Sequence, residues 1–227
     1  MKYMFLYFVF IYALTFPAAW AENRVMLNQL ELEYGDGEGD ERFYSGRVSV
    51  YGELVDNNFL QFDLERMHFK EAEMNAFTSY FIHRADQHMW ALGYKYQDLD
   101  VFESSHAIFH YQYDQDDFLT IVATLGYEDK NIADNHRYGA LYLRMYPYEN
   151  LMVQTGPSIY YSQSEDFGSE DVELDLAFEW QPGYVSMPWF TVYYQENVFG
   201  DRSVGVRFRL DKASLRTLQR SGGIIIN

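Results

Sequence analysis

Apolar and polar residues alternate along most of this chain with a period of two, the spacing of a β-strand that has one apolar and one polar face. In residues 172–176, for example, Val, Leu and Leu alternate with Glu and Asp. Twelve segments of roughly 9–12 residues follow this pattern, and each predicts a strand. They centre on residues 30–34, 47–54, 60–65, 75–84, 90–97, 106–113, 119–127, 140–145, 153–161, 172–180, 190–195 and 203–210. The alternation is weakest in 75–84, where both faces carry aromatic side chains, so the predicted count is about twelve.

The predicted strands are long, and the connections between them alternate in size. A strand that crosses a bilayer at a tilt of about 45° needs roughly 9–11 residues, whereas strands of soluble proteins average about 5–6. Long acidic connections are predicted at 35–42, 68–74, 97–104, 128–136, 162–171 and 196–202, and short turns at 56–58, 85–87, 114–117 and 147–150. The connection 181–188 is long where a short turn is expected. Loops on one side and tight turns on the other are typical of a membrane-spanning barrel.

Residues 1–21 are predicted to be a cleaved signal peptide. Lys2 supplies a positive charge, the run from Met4 to Phe16 is almost wholly apolar, and an A-x-A cleavage site ends at Ala21. The apolar run is shorter than the roughly 20 residues of a transmembrane helix, which argues against a membrane anchor. We therefore expect an exported protein whose mature chain begins near Glu22.

The composition excludes some classes of function. The chain has 17 Lys and Arg against 34 Asp and Glu, a net charge of −17, and loss of Lys2 with the leader makes it −18. Nucleic-acid binding needs clustered cations that neutralise phosphates, so no nucleic-acid partner is expected. The chain has no cysteine, so an exported form must be stabilised without disulfides, as a closed hydrogen-bonded sheet would be.

Aromatic residues make up 19% of the chain, and Tyr is the most frequent of them. Their amphipathic rings suit a membrane–water boundary, and two girdles are predicted. The outer strand ends carry Tyr34, Tyr127 and Tyr161, and the inner ends carry Tyr113, Tyr146, Tyr148, Trp180 and Trp189. The alternative explanation is that aromatic residues simply favour strands.

Together these features resemble Gram-negative outer-membrane β-barrel proteins as a class, over residues 22–210. The resemblance rests on architecture and on no diagnostic motif. It implies an all-β fold, a closed antiparallel up-and-down transmembrane barrel of about 12 strands, located in the outer membrane with both termini in the periplasm. Such proteins usually end on a strand that closes with an aromatic residue and is read by the insertion machinery, and 203–210 resembles that signal. The basic segment 211–227 departs from the pattern, and we expect it to be a periplasmic tail.

Closure of the sheet would place one face of every strand in the lumen. The predicted lumen-lining residues are Glu31, Glu33, Arg47, Glu53, Asp63, Glu65, Lys95, Arg144, Glu173, Asp175, Glu179, Arg207 and Arg209. Because closure sets the first strand beside the last, Glu31 and Glu33 are expected near Arg207 and Arg209, with Arg47 near both. Two interpretations stay open: a pore lining that contacts a solute, or an ion-pair network that fills a narrow barrel.

Signals for catalysis or metal binding are weak. Ser104 and His106 share one strand face, which weakly resembles outer-membrane phospholipases, but the order is reversed and no orienting Asn is evident. His106 and His110 lie about 13 Å apart along a strand, too far to share an ion, and His83 is two strands away. The acidic segment 35–41 lacks the spacing of an EF-hand loop. We predict no catalytic residue, no metal site and no cofactor.

The resemblance implies a narrow channel or porin that passes small solutes or a single polysaccharide chain, because twelve strands leave room for a narrow lumen. The first alternative is a non-conducting structural or adaptor barrel in an envelope complex. An outer-membrane lipid-modifying enzyme is less favoured, and a soluble exported β-sandwich is the alternative fold. The expected partners are outer-membrane lipid and lipopolysaccharide, the insertion machinery, and a small solute or polysaccharide.

Overall fold

The computed structural model describes residues 25–37, 41–69, 72–99, 102–131, 135–163, 168–182, 190–197 and 202–209. These ranges contain twelve strands: β1 (Val25–Gly37), β2 (Glu41–Val55), β3 (Asn58–Phe69), β4 (Glu73–Ala85), β5 (His88–Leu99), β6 (Phe102–Asp114), β7 (Leu119–Lys130), β8 (Asn135–Tyr148), β9 (Leu151–Gln163), β10 (Gly168–Trp180), β11 (Phe190–Asn197) and β12 (Arg202–Arg209). The predicted leader, 1–21, and the predicted tail, 211–227, lie outside the described residues. Among the residues described, no helix is long and apolar enough to cross a membrane.

The strands form one closed barrel in which each strand pairs antiparallel with its neighbours in sequence. β1 pairs with β12 as well as with β2, from Gln29 opposite Arg209 to Asp36 opposite Arg202. Closure pairs the backbone of the first and last strands, so the sheet has no free edge. The predicted fold class, an all-β closed antiparallel barrel of twelve strands, is confirmed.

The two faces of the sheet differ in exposure as the period of two predicts. Leu32 on the outer face is 48% exposed, whereas the adjacent Glu31 is 3% exposed on the inner face. The outer face carries a band of exposed apolar side chains around the barrel: Leu30, Leu32, Phe62, Leu92, Leu125, Leu141, Leu143, Ile159, Val172, Leu174, Leu176 and Val204. An outward apolar band is the surface that a barrel presents to lipid. Polar groups on the inner face are shielded from that environment by the sheet itself.

Most strands of β1 to β10 are longer than predicted, because they continue into the segments expected to be loops, whereas β11 and β12 have 8 residues each. β1 to β10 have 12–15 residues each. The connections at the end where β1 finishes are 38–40, 70–72, 100–101, 131–134, 164–167 and 198–201. We call this end the loop rim and the opposite end the turn rim. The predicted contrast in connection length is wrong, since only 181–189, at the turn rim, is long.

The turns at the turn rim depend on residues that tolerate a left-handed backbone. Asn57 has a φ of 64° and Asp86 a φ of 51°, each in the two-residue turn between paired strands. Asn and Asp adopt positive φ more readily than other non-glycine residues. Both turns lie where the sequence predicts them.

Most of the predicted girdle residues face outward in the structure, as predicted. Tyr34, Tyr127 and Tyr161 are 37–47% exposed near the loop rim, and Tyr148 and Trp180 are 69% and 51% exposed near the turn rim. Tyr113 is half-buried. Tyr146 is placed wrongly by the prediction, because it alternates with the outward Met145 and is therefore inward and 2% exposed. Trp189 lies outside the described residues.

Candidate functional site: the barrel lumen

The alternation of each strand places eleven of the thirteen predicted lumen residues on the inner face. These are Glu31, Glu33, Arg47, Asp63, Glu65, Lys95, Arg144, Glu173, Asp175, Glu179 and Arg207. The other two, Glu53 and Arg209, belong to β2 and β12, but their side chains lie outside what the structure describes. The pairing of β1 with β12 sets Glu31 opposite Arg207, and its pairing with β2 sets Glu31 opposite Arg47, as expected.

Arg207 is the centre of a buried cluster at the seam between β12 and β1. Its Nε donates a hydrogen bond to Oε2 of Glu31 at 2.7 Å, and its Nη1 lies 2.7 Å from Oε2 of Glu179. Thr191 donates to the same Glu179 carboxylate at 2.9 Å. All four residues are at most 4% exposed. One cation therefore serves two carboxylates that have little access to water, and we call these residues with Tyr193 the seam cluster.

Tyr193 completes the seam cluster from β11. The Arg207 guanidinium lies 4.0 Å from the centre of the Tyr193 ring, and the Tyr193 hydroxyl donates to Oε1 of Glu31 at 3.0 Å. The ring occupies the space above Gly205, its partner across β11 and β12, where a Cβ atom would overlap ring carbons. A glycine thus lets a large inward ring lie against the barrel wall.

The same pairing of glycine and aromatic residue recurs around the lumen. Tyr80 covers Gly93 of β5, and Tyr138 covers Gly126 of β7. Near the loop rim, Phe43 covers Gly35 of β1. Each ring lies flat against the wall because its neighbour has no side chain, so the lumen stays wider than its aromatic content suggests.

Towards the turn rim the lumen is filled by side chains. An apolar cluster on β2 to β6 consists of Tyr51, Phe59, Tyr80, Ile82, Met89, Ala91 and Ile108, each at most 6% exposed. Beside it, Arg84 and Asp114 form an ion pair of 2.6 Å, and Gln112 and Thr120 donate to the same Asp114 carboxylate. This half of the lumen is packed like a protein core.

Towards the loop rim the lumen contains a cavity of about 290 Å³, which we call the vestibule. Its wall is formed by Glu31, Glu33, Phe43, Arg47, Glu65, Met67, Met74, Lys95, Gln97, Tyr193 and Gln195. Five of the predicted lumen residues therefore meet at one space, although they come from β1, β2, β3 and β5. Charges of both signs, two amides and thioethers face the same volume, which suits a polar organic solute.

The charged groups of the vestibule differ in how they are partnered. Arg47 forms an ion pair with Glu65 at 3.1 Å. Glu33 accepts hydrogen bonds from Ser45 at 3.3 Å and Gln195 at 3.1 Å, and no cation of the described residues lies within ion-pair distance of it. Lys95 likewise has no carboxylate within that distance among the residues described. The vestibule thus keeps one carboxylate and one ammonium that no ion pair neutralises.

Ser104 and His106 are in contact, but not in the arrangement of a catalytic triad. The Ser104 hydroxyl lies 3.1 Å from Nε2 of His106, and Oε1 of Glu128 lies 3.5 Å from the same nitrogen. In a triad the carboxylate holds the imidazole through the nitrogen opposite the nucleophile, which orients the ring and fixes its tautomer. Gln97 also contacts Nε2, at 2.6 Å, so the imidazole is an anchor of a polar network. Within the described ranges no three His, Asp or Glu residues are grouped as metal ligands.

Several lumen residues were not predicted from the sequence. Glu128 and Lys130 were assigned to a loop, yet the alternation that starts at Thr120 continues through both and turns them inward. The sequence gives no clear signal for Arg84, because apolar and polar residue types alternate poorly in 75–84, or for Tyr193, which is uncharged. Counting parity along each strand to its end would have found the first two. The contact of Tyr193 with Arg207 depends on closure and has no local signal.

Comparison with known proteins supports the barrel fold but identifies no family. No protein-family model matches the sequence, and no curated protein matches it. Among solved structures the barrel resembles the KdgM porin, with a TM-score of 0.60 and 9% identity over 81% of this chain and 98% of that chain. It resembles the NanC porin with a TM-score of 0.61 and 13% identity over 80% and 98% of the two chains. An outer membrane channel from Pseudomonas putida F1 aligns with a TM-score of 0.58 and 9% identity over 81% and 93%.

These likenesses show that the chain has the barrel fold of outer-membrane channels. The KdgM porin has also been solved in complex with disordered oligogalacturonate. The alignments cover 93–98% of each of these solved barrels. At such low identity the lumen residues of this chain must be interpreted from their own geometry.

Proposed function

We propose that this protein is an outer-membrane channel that passes small solutes or a single extended polysaccharide chain. The observation that carries the proposal is the vestibule: a closed barrel surrounds a polar cavity of about 290 Å³ near one rim. A cavity of this size holds a small solute or about one sugar residue, and its wall offers carboxylates, an ammonium and amides to hydroxyl groups. The complex of the KdgM porin with oligogalacturonate, which is a polyanion, supports the saccharide class of the solute and not its charge.

The proposed path beyond the vestibule passes the seam cluster. Arg207, Glu31 and Glu179 reach into the lumen from three strands and hold one another by ion pairs, with Tyr193 against them. In the part of the chain that the structure describes, no backbone segment crosses the lumen. Among the described residues, the constriction is formed by these side chains. A narrow, charged constriction passes small or extended molecules and excludes folded ones.

Planar-bilayer recording tests the proposal. Purified, refolded barrel should produce discrete conductance steps, and addition of a saccharide to the loop-rim side should interrupt the current in a concentration-dependent way. Heat-modifiable gel mobility shows independently that the barrel is folded. Folded protein without conductance steps at any applied voltage would contradict a channel.

A second candidate, a non-conducting structural or adaptor barrel, is favoured by the close packing of side chains in the half of the lumen near the turn rim, which we call the packed turn half. Ile82, Ala91, Gln112 and Thr120 face the lumen there with no exposed surface. Such packing stabilises a barrel in the way that a core stabilises a soluble domain. This candidate predicts no conductance together with capture of an envelope partner. That capture should be lost on deletion of the predicted basic tail, 211–227.

The proposal includes export and location in the outer membrane. The sequence supports both, through the signal-peptide pattern of 1–21 and the terminal strand 203–210, and the outward apolar band is suited to lipid and lipopolysaccharide. The mature protein should have the mass of a chain that begins at Glu22. It should fractionate with the outer membrane and depend on the insertion machinery. An outer-membrane lipid-modifying enzyme is not proposed. Ser104 and Glu128 both contact Nε2 of His106, so the carboxylate does not orient the imidazole from the opposite nitrogen as in a catalytic triad.

A further inference from the structure

The sequence segments that are predicted to connect the strands at the loop rim are strongly acidic. The six connecting segments predicted there, from 35–42 to 196–202, contain eighteen Asp and Glu against four Lys and Arg, a charge of −14 out of the −17 of the whole chain. Among the described acidic side chains of these segments, the alternation turns two towards the lumen: Glu128, which pairs with Lys130, and the exposed Asp171. The others are on the outer face around the rim: Glu73, Asp98, Glu103, Asp129 and Glu196. Charge of one sign at a rim attracts counter-ions to the entrance and repels co-ions.

The inner face of the barrel also has carboxylates whose negative charge is not neutralised by an ion pair. Among the described side chains of the inner face, Glu33, Asp63 and Asp175 have no cation within ion-pair distance and are held by neutral donors. Gln61 donates to Asp63 at 3.0 Å, and Tyr142 donates to Asp175 at 2.7 Å. Neutral donors stabilise a carboxylate without cancelling its charge, so its field extends into the lumen.

The lumen cations, by contrast, are mostly neutralised or buried. Arg47, Arg84, Lys130 and Arg207 each form an ion pair with an inward carboxylate. Arg144 donates to Gln154 and is 3% exposed. The remaining cation among the described side chains of the inner face, Lys95, is on the vestibule wall. Within that described set, one ammonium outside any ion pair is set against at least three such carboxylates, Glu33, Asp63 and Asp175.

We infer that the vestibule selects cationic and neutral solutes and excludes polyanions, with Glu33 as a specificity-determining residue. As a statement about transport, this inference rests on the proposed channel function. Glu33 is placed for this role because it lies on the vestibule wall near the loop rim, on the path of an entering solute. Ser45 and Gln195 fix the position of its carboxylate. Lys95 gives such a solute one contact on the same wall for an anionic or hydroxyl group.

A single thiol measures the potential of the vestibule directly, because the chain has no cysteine. Met67 lies on the vestibule wall and makes no side-chain hydrogen bond in the described structure, so Met67→Cys is a mild change. The variant is treated with a trimethylammonium-ethyl and with a sulfonato-ethyl methanethiosulfonate. The rate constant of modification by the cationic reagent is divided by that of the anionic reagent. This ratio is then divided by the ratio that the two reagents give with free 2-mercaptoethanol, which corrects for their different intrinsic reactivities. We expect the corrected ratio to be about tenfold in favour of the cation at low salt and to approach one as salt is raised.

Glu33→Gln in the Met67→Cys background should lower the corrected ratio by about threefold, since one charge near the thiol is removed. The matched control is Glu103→Gln, which removes a charge from the outer face of β6 at the same rim and should change the ratio little. A ratio at or below one would overturn the inference. Equal effects of the two substitutions, or a thiol that neither reagent reaches, would overturn it too.

Bilayer recording under a KCl gradient separates this inference from the proposed function. A conducting barrel should show a reversal potential of the sign for K⁺ preference, and Glu33→Gln should move it towards zero. Conduction with a preference for Cl⁻ would refute the inferred cation selectivity but would still support the proposed channel function. A thiol ratio that favours the cation, in a barrel that never conducts, would refute the channel and leave the vestibule selectivity standing.

Discussion

The Nε of Arg207 donates a hydrogen bond to Oε2 of Glu31 at 2.7 Å, and this contact joins the last strand of the barrel to the first. The two residues are 176 positions apart in sequence. A shift of β12 by one residue would turn Arg207 towards lipid and leave Glu31 and Glu179 in the lumen without it. The pair therefore contributes to the register of closure, beyond whatever it adds to stability.

The first prediction concerns this buried pair. Arg207→Ala removes the cation that pairs with two carboxylates that are 3% and 0% exposed, and we expect a loss of about 3–5 kcal/mol in the free energy of unfolding. Arg66→Ala is the control, since its ion pair with Glu73 has a similar distance, 2.6 Å, but is about one-third exposed. It should cost about 0–1 kcal/mol. Urea unfolding in lipid vesicles, followed by tryptophan fluorescence, measures both, and equal losses would contradict the role of burial.

The second prediction concerns the contact of Tyr193 with Gly205. Gly205→Ala places a methyl group in the space of the Tyr193 ring and should cost about 1–3 kcal/mol. Gly46→Ala is the control: its nearest neighbour would be Leu32 Cδ2 at 3.7 Å, an ordinary contact, so little change is expected. The double variant Gly205→Ala/Tyr193→Ala should recover part of the loss. Additive costs in this double-mutant cycle would show that the ring and the glycine are not coupled.

The third prediction concerns conductance. Tyr193→Ala removes an inward ring that is 4% exposed beside the constriction, so single-channel conductance should rise. Tyr194→Ala changes the next residue of β11, which faces outward, and should leave the conductance as in the wild type. Both variants are compared after heat-modifiability confirms folding. Unchanged conductance in Tyr193→Ala would place the limiting constriction elsewhere, in the packed turn half.

The fourth prediction separates a lipid-facing surface from a soluble one. Leu174 lies at the middle of β10 and is 51% exposed on the outer face. Leu174→Arg should lower stability in vesicles by about 2–4 kcal/mol, as a cation at mid-bilayer does. Phe118→Arg, at an exposed residue beside the turn rim, should cost about 0–1 kcal/mol. If both substitutions are neutral, the outer face is not in contact with lipid, which favours a soluble exported protein.

Much of the barrel was predictable because the period of two is a local property. Side-chain direction in a strand follows from position alone, so Glu31 and Leu32 are assigned to opposite faces without any knowledge of their neighbours. The strand ends were less predictable. Residues 128–130 belong to a predicted polar loop, yet Glu128 and Lys130 are inward and Asp129 is outward, because a charged residue at a rim has water within reach on either face.

The sequence by itself determined the all-β class, a count of about twelve strands and the face of most side chains. Once closure is assumed, it also placed Glu31 and Glu33 near Arg207 and Arg209. The tertiary structure decided which inward residues share a height in the barrel, since that depends on strand tilt and on register irregularities such as the one between Met145 and Tyr148. It thereby separated the lumen into a packed turn half and an open vestibule. It also left Glu33 and Lys95 without ion-pair partners among the described residues. These are distances across the lumen, between residues far apart in sequence, and no local pattern contains them.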